Sequence, residues 1–223
     1  MDVENIIDAL ECRDRVSNIC IYDIRGPVLE ELVTVLHEPL PVLTHFYLSS
    51  TDEEVSVLPE TFLGGSAPPL ESFELWGIPF PSFPKFILHS THIAYLYLDD
   101  IPNSGYISPK VMATCLTALP HLKYLSIGFR SPSGLLQLSP PHLTRAVLPA
   151  LSNLAFSGAS EYFEDFVARI DTPRLTWLSI TFFMDLIFDI PRLRNFIDHT
   201  EGLKPFNQAA LEFSGRMIKI VLG

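Results

Sequence analysis

One apolar phrase recurs along the whole chain, and it constrains the fold more than any bulk property. In "LPHLKYLSIGF" it places Leu122, Leu125 and Ile127 at the spacing L-x-x-L-x-L. The same spacing joins Val16, Ile19 and Ile21; Leu43, Phe46 and Leu48; Leu70, Phe73 and Leu75; and Ile93, Leu96 and Leu98. It returns at Leu151, Leu154 and Phe156, and at Leu175, Leu178 and Ile180. A weaker eighth copy is Gln208, Leu211 and Phe213. The last two members of each copy lie two residues apart, so on a strand both point to one face. Each copy is therefore read as a short strand with one buried side.

The segments between copies carry a different period. "PVLEELVTVLHE" opens on Pro, tolerated in the first turn of a helix, and sets Val28, Leu32, Val35 and Leu36 at helical spacing. "SPKVMATCLTAL" offers Ser108 as a cap, then Pro109, with Val111, Cys115, Leu116 and Leu119 as its apolar face. "SEYFEDFVARI" offers Ser160 as a cap and acids in its first turns, where a surface helix favours them. "IPRLRNFIDHT" closes the series. "SVLPETFLGGSAPP" and "PFPSFPKFILHS" are broken by Pro and Gly and predict short turns or 3₁₀ pieces.

Strand then helix at a steady spacing means parallel strands joined by crossovers, right-handed as is usual. The spacing of about 26 residues lies within the ~20–29 of leucine-rich repeats. The expected fold is thus an α/β leucine-rich-repeat solenoid, a curved parallel sheet with helices and short turns on its convex side. Residues 1–14 are expected to form an N-terminal capping helix, with Asp2 as N-cap and Val3, Ile6, Ile7 and Leu10 as its apolar stripe. Residues 15–223 are expected to hold seven or eight repeats with a long loop at about 130–147. A doubly wound α/β domain also alternates strand and helix and is the rival architecture. It does not explain the Pro that precedes most copies. The apolar end "MIKIVLG" reads as an open strand edge, from which either the natural chain continues or a second copy pairs.

The phrases "PLPVLTHFYLSS", "VLPETFLGGSAPPLESFELWGIPFP", "SGYISPKVMATCLTALPHLKYLSIGFRSP" and "DFVARIDTPRLTWLSITFF" resemble the leucine-rich-repeat region of the F-box proteins of basidiomycete fungi. The resemblance runs from about Glu4 to Phe213. It implies the target-binding arm of a ubiquitin ligase, in which an F-box docks on a Skp-type adaptor and the repeats hold the target. No F-box opening stands among the residues before the first copy, so a Skp-type adaptor is a partner only if an F-box exists in the full-length protein. A degenerate relative without ligase role, or an orphan structural repeat protein, is the alternative; a hydrolase is a distant third.

The residues between the apolar members face outward on the concave side. Among them Tyr22, His45, Tyr47, Glu74, Trp76, Tyr95, Tyr97, Asp99, Tyr124 and Trp177 are the expected partner-binding residues. Amphipathic aromatics on an exposed face are the usual anchors of protein interfaces. Glu74 and Asp99 sit among them without Lys or Arg, which suits a partner segment that is basic or rich in hydroxyls. Cross-strand aromatic packing explains the same residues without a partner.

Composition argues against a nucleic-acid reader, and the missing motifs argue against an enzyme. Net charge is −11, with 15 Lys and Arg against 26 Asp and Glu, so no nucleic-acid partner is expected. No apolar run approaches the ~20 residues of a membrane span, and no secretory signal opens the chain. Cys12, Cys20 and Cys115 form no C-x-x-C pair and read as reduced, mostly packed thiols of a cytoplasmic or nuclear protein. The seven histidines, His89 and His92 included, show no H-E-x-x-H spacing. "FLGGSAPP" lacks G-x-S-x-G and precedes a strand, and no phosphate-binding glycine motif occurs. Glu161, Glu164 and Asp165 are explained by the helix dipole, and "TDEEV" by a solvated loop. No catalytic residue, metal site or cofactor is expected.

Overall fold

In the computed structural model, residues 6–7, 9–10, 12–53, 55–66, 69–130, 145–183, 190–204, 209–214 and 217–223 are described. Strands β1 (Asn18–Ile21), β2 (His45–Ser49), β3 (Ser72–Trp76), β4 (Tyr95–Ile101), β5 (Tyr124–Phe129), β7 (Asn153–Gly158) and β9 (Trp177–Phe183) carry the seven firm copies of the phrase. They lie side by side in chain order, each parallel to the next. This is an α/β protein with a mostly parallel sheet and helices. The order of these parallel strands never reverses, which separates it from a doubly wound sheet with its switch point.

The register is set by the phrase. Ile19, Phe46, Phe73, Leu96, Leu125, Leu154 and Leu178 form one lateral row. Ile21, Leu48, Leu75, Leu98, Ile127, Phe156 and Ile180 form the next. Both rows are buried in one core, as are Leu43, Leu70, Ile93, Leu122, Leu151 and Leu175 at the strand entrances. A one-residue slip would turn every one of these side chains to the other face, so the register is held by the burial itself.

The other wall of the core is built from α1 (Gly26–Val35), α2 (Phe83–Phe86), α3 (Pro109–Leu116), α4 (Ser160–Val167) and α5 (Pro191–His199). Between β2 and β4 the described helical pieces are 3₁₀ turns and the four-residue α2, and phenylalanines pack beneath them. Phe73 packs on Phe46, Phe80, Phe83 and Phe86 at ring distances of 5.2 to 6.4 Å. A second aromatic cluster joins Phe129, Phe156, Tyr162 and Phe163 under β5 and β7, and the buried Tyr162 hydroxyl donates to the Ile107 carbonyl at 3.0 Å.

Several expectations are corrected. The eighth copy does not extend the parallel series. β11 (Met217–Leu222) runs antiparallel beside β9, and β10 (Ala209–Ser214) pairs antiparallel outside it. The terminal apolar strand is therefore paired on both sides, and β10 is the edge. The expected loop at 130–147 gives up its end: β6 (Ala146–Val147) pairs parallel with β8 (Ile170–Asp171). Residues 131–144 lie outside the described residues, as do Asp2, Val3 and Gln208. Of the N-terminal cap, residues 6–7 and 9–10 are helical, and Leu10 is buried.

Helix phases shift in detail. Val111 is exposed and Met112 is buried in its place; on α1, Leu29 joins Leu32 and Leu36 in the core. Ser108 caps α3 as expected, accepting from Val111 N–H at 3.4 Å. Ser160 does not cap α4: Ala159 holds that position, without a side-chain bond. The acids of α4 are the largest departure. Glu161 is exposed, but Glu164 and Asp165 are buried. Glu164 accepts the backbone N–H groups of Arg192 and Leu193, at 2.9 and 2.7 Å, and so caps α5 from the neighbouring helix. Asp165 accepts two bonds from Arg169 at 3.0 Å each and one from Arg192 at 3.2 Å. Partners, rather than solvent, offset the charge of these carboxylates. Cys12 and Cys20 are exposed, so only Cys115 is a packed thiol. Among the described residues no helix is long and apolar enough to cross a membrane.

Candidate functional site

Alternation along each strand sends the residues between the core rows to the opposite face of the sheet. Laterally they form three rows. His45, Ser72, Tyr95, Tyr124, Asn153 and Trp177 make the entry row. Cys20, Tyr47, Glu74, Tyr97, Ser126, Ala155 and Ser179 make the middle row. Ser49, Trp76 and Asp99 start the exit row, with Tyr22 just past the end of β1.

The expected binding residues are all on this face, but not equally available. Tyr22, Trp76 and Tyr95 are exposed by 65, 48 and 44%. Tyr47, Tyr97, Tyr124 and Trp177 are half-buried by one another and by their neighbours. Tyr22 and Tyr47 rings lie 4.7 Å apart, Tyr97 stacks on Tyr124 at 4.7 Å, and Tyr124 stacks on Trp177 at 6.2 Å, across the strand of Asn153. Small residues of the same rows, Ser49, Ser72, Ser126 and Ser179, are buried.

Glu74 holds the centre of the first four strands. Strands lie ~4.8 Å apart, so its carboxylate is flanked in register by Tyr47 on one side and Tyr97 on the other. Ser72 donates to it at 3.1 Å. Its charge adds to the raised pKa of Tyr97 and of Asp99; at Tyr22 the rise comes first from the Cys20 thiol, and Glu74 adds least. Burial, chiefly, pushes the Tyr97 phenol up to about 12, with Tyr124 next and Glu74 after it. Burial also raises the Asp99 carboxyl; the Ser126 hydroxyl, donating at 2.8 Å, offsets this, and Glu74 and Asp100 add to it.

Asp99 owes its position to an irregularity. The β4–β5 register shifts between Leu98 and Ile101, and Asp100 takes φ +53°. A Cβ on Gly128 would stand 2.7 Å from the Asp99 carboxylate, so the missing side chain is what lets that carboxylate lie flat on β5. Asp100 turns away to Arg130, which binds it at 2.9 Å and also donates to the Asp52 carbonyl at 3.1 Å.

Two expected residues stand apart from this cluster. His45 is exposed in the entry row, with Nδ1 2.9 Å from the Thr44 hydroxyl, and Trp177 lies beyond β7. One residue escaped the sequence reading. Lys219 is exposed on the same face, paired across β11 with Thr181 and Glu212. Only the antiparallel return of β11 puts it there.

The arrangement offers ring faces, phenol hydroxyls and carboxylates, which suits binding. Among the described residues no group of three His, Cys, Asp or Glu could hold a metal ion. The chain matches no family model, no curated protein and no solved structure.

Proposed function

We propose that this chain is a leucine-rich-repeat solenoid whose outer, concave face recognises a protein. In that reading it is the target-binding arm of an F-box-type ubiquitin ligase, or a relative that keeps the arm without the ligase role. Seven parallel strands in chain order, each in register through the same apolar phrase, support the solenoid. The observation that carries recognition is the set of exposed aromatics, Tyr22, Trp76 and Tyr95, on the face that the core does not use. Water-exposed tryptophan and tyrosine lose ordered water and little side-chain entropy on docking, which is why they dominate binding energy at interfaces.

The reading assigns the chain no reaction, cofactor, metal, membrane or nucleic acid. It places the protein in the cytoplasm or nucleus, where the exposed Cys12 and Cys20 stay reduced. A Skp-type adaptor joins only through an F-box elsewhere in the full-length protein. The test is affinity capture with the chain as bait against a Tyr22→Ala/Trp76→Ala/Tyr95→Ala variant of equal thermal stability. A protein held by the native face and released by the variant supports the reading. Identical catches from the two baits would refute it and favour an orphan structural repeat protein.

A further inference from the structure

We infer that the outer face binds a cationic side chain, arginine or lysine, of the partner protein, in a pocket centred on Glu74. This rests on the reading of that face as the recognition surface and adds the chemistry of what it recognises.

Three observations carry it. First, Glu74 and Asp99 sit on adjacent strands, and no Lys or Arg occupies the outward positions of β1 to β5 among the described residues. Asp99 finds a hydroxyl and Glu74 finds a hydroxyl; neither finds a cation among the described residues. Arg130, just past the end of β5, is committed to Asp100 and to the Asp52 carbonyl. Second, Tyr47 and Tyr97 flank Glu74 in register, and Trp76 stands two residues along its own strand. Ring faces attract a cation that the carboxylate neutralises, so the two effects act on the same ligand group. Third, part of the negative charge is held out of water, as the raised Asp99 carboxyl shows. A partner cation relieves that cost, which a neutral or acidic segment cannot do.

The geometry favours a single extended side chain over a diffuse basic surface. Glu74 is half-buried among rings, so a long flexible stem has to reach down to it, as lysine and arginine do.

The chain's two tryptophans, Trp76 and Trp177, both lie on this face, so intrinsic fluorescence reports the event directly. In a Trp177→Phe background, the full chain is titrated with a ten-residue peptide alternating Arg and Ser, and with its Glu/Ser counterpart. A saturable change with the first peptide alone is expected. Glu74→Gln should weaken it at least fivefold, and Tyr47→Leu two- to fivefold, with melting temperatures unchanged. Glu201→Gln, which removes the same charge from an exposed 3₁₀ turn, should stay within twofold. Equal loss in the Glu74 and Glu201 variants would reduce the effect to net charge and overturn the inference. So would a dimer, seen by sedimentation of the chain alone, that Glu74→Gln dissociates, because a second copy would then fill the pocket. If the triple aromatic variant releases a partner that Glu74→Gln still binds normally, recognition stands and the cationic pocket falls. If neither a partner nor the peptide binds, both fall.

Discussion

Replacing Glu164 by Ala should destabilise the fold more than any other single acid-to-alanine change in the described surface helices. Glu164 is 6% exposed, and its two oxygens accept the N–H groups of Arg192 and Leu193 in the first turn of α5. That helix has no cap of its own: Ile190 holds the N-cap position without a side-chain bond. Losing an ordinary cap costs about 1–2 kcal/mol. A buried acceptor that serves charged hydrogen bonds is worth more, about 1.5–3 kcal/mol, because the abandoned donors stay dry. These effects overlap, and together they predict a loss of about 3 kcal/mol, or roughly 6–12 °C in melting temperature for a chain of this size. Glu164→Gln keeps one carbonyl acceptor and should lose about half as much. Glu161→Ala, on the exposed side of the same helix, should stay within about 0.5 kcal/mol of the native chain. Urea unfolding gives these differences from the midpoint at constant slope. A Glu164→Ala loss below about 1 kcal/mol would refute the cap between helices, and with it the claim that α4 and α5 are locked by this carboxylate.

Three further outcomes are expected of the same fold. Asp99→Asn should stabilise the protein at neutral pH. The folded pKa lies above the unfolded one, so stability falls as pH rises past the ordinary carboxylate range; the gain should vanish in acid, where both states are protonated, and melting curves at pH 3.5 and 7 decide it. Gly77→Ala should cost about 3 kcal/mol by urea unfolding, because φ is +70° and the new Cβ would meet the Ser50 carbonyl oxygen at 2.1 Å. Cys12 and Cys20 are exposed, whereas burial holds the Cys115 thiol up at about 12, so Ellman's reagent should titrate two thiols in the native protein and three in urea.

The core was readable because a single local spacing, L-x-x-L-x-L, fixes which face of each strand is buried, and the parallel register then repeats that choice strand by strand. What a local window could not show is anything set by a neighbour some 25 residues away. Asp165 and Arg169 are four apart and legible as a helical ion pair, but Glu164 meets Arg192 and Leu193 at a separation of 28 and 29, so the same acids read as a solvated first turn. The misplaced phase of α3 has a similar source: Val111 and Met112 are equally apolar, and only the packing of α3 between α2 and α4 selects Met112. At the C-terminus the alternation of "MIKIVL" announces a strand without its direction, and the antiparallel return brings Lys219 beside Thr181 where a parallel extension would not.

The outer face shows both sides of this rule at once. Tyr47, Glu74 and Tyr97 stand 27 and 23 residues apart, and they could be predicted to share a face only because the apolar phrase keeps time between them. Their availability could not be predicted, since it depends on which ring leans on which. Tyr97 is covered by Tyr124 on the next strand, whereas Tyr95, two residues earlier on the same strand, is open. Asp99 depends on still less local facts: a register shift in β4, Gly128 and Ser126 combine to let its carboxylate lie over β5, across β4 from Glu74. Glu74 and Asp99 thus put two carboxylates on one face, each held by a serine hydroxyl, while the local arginine is bound to Asp100. Those two acids, with Tyr22, Trp76 and Tyr95 exposed on the same face, are the ground on which the proposed cationic partner rests.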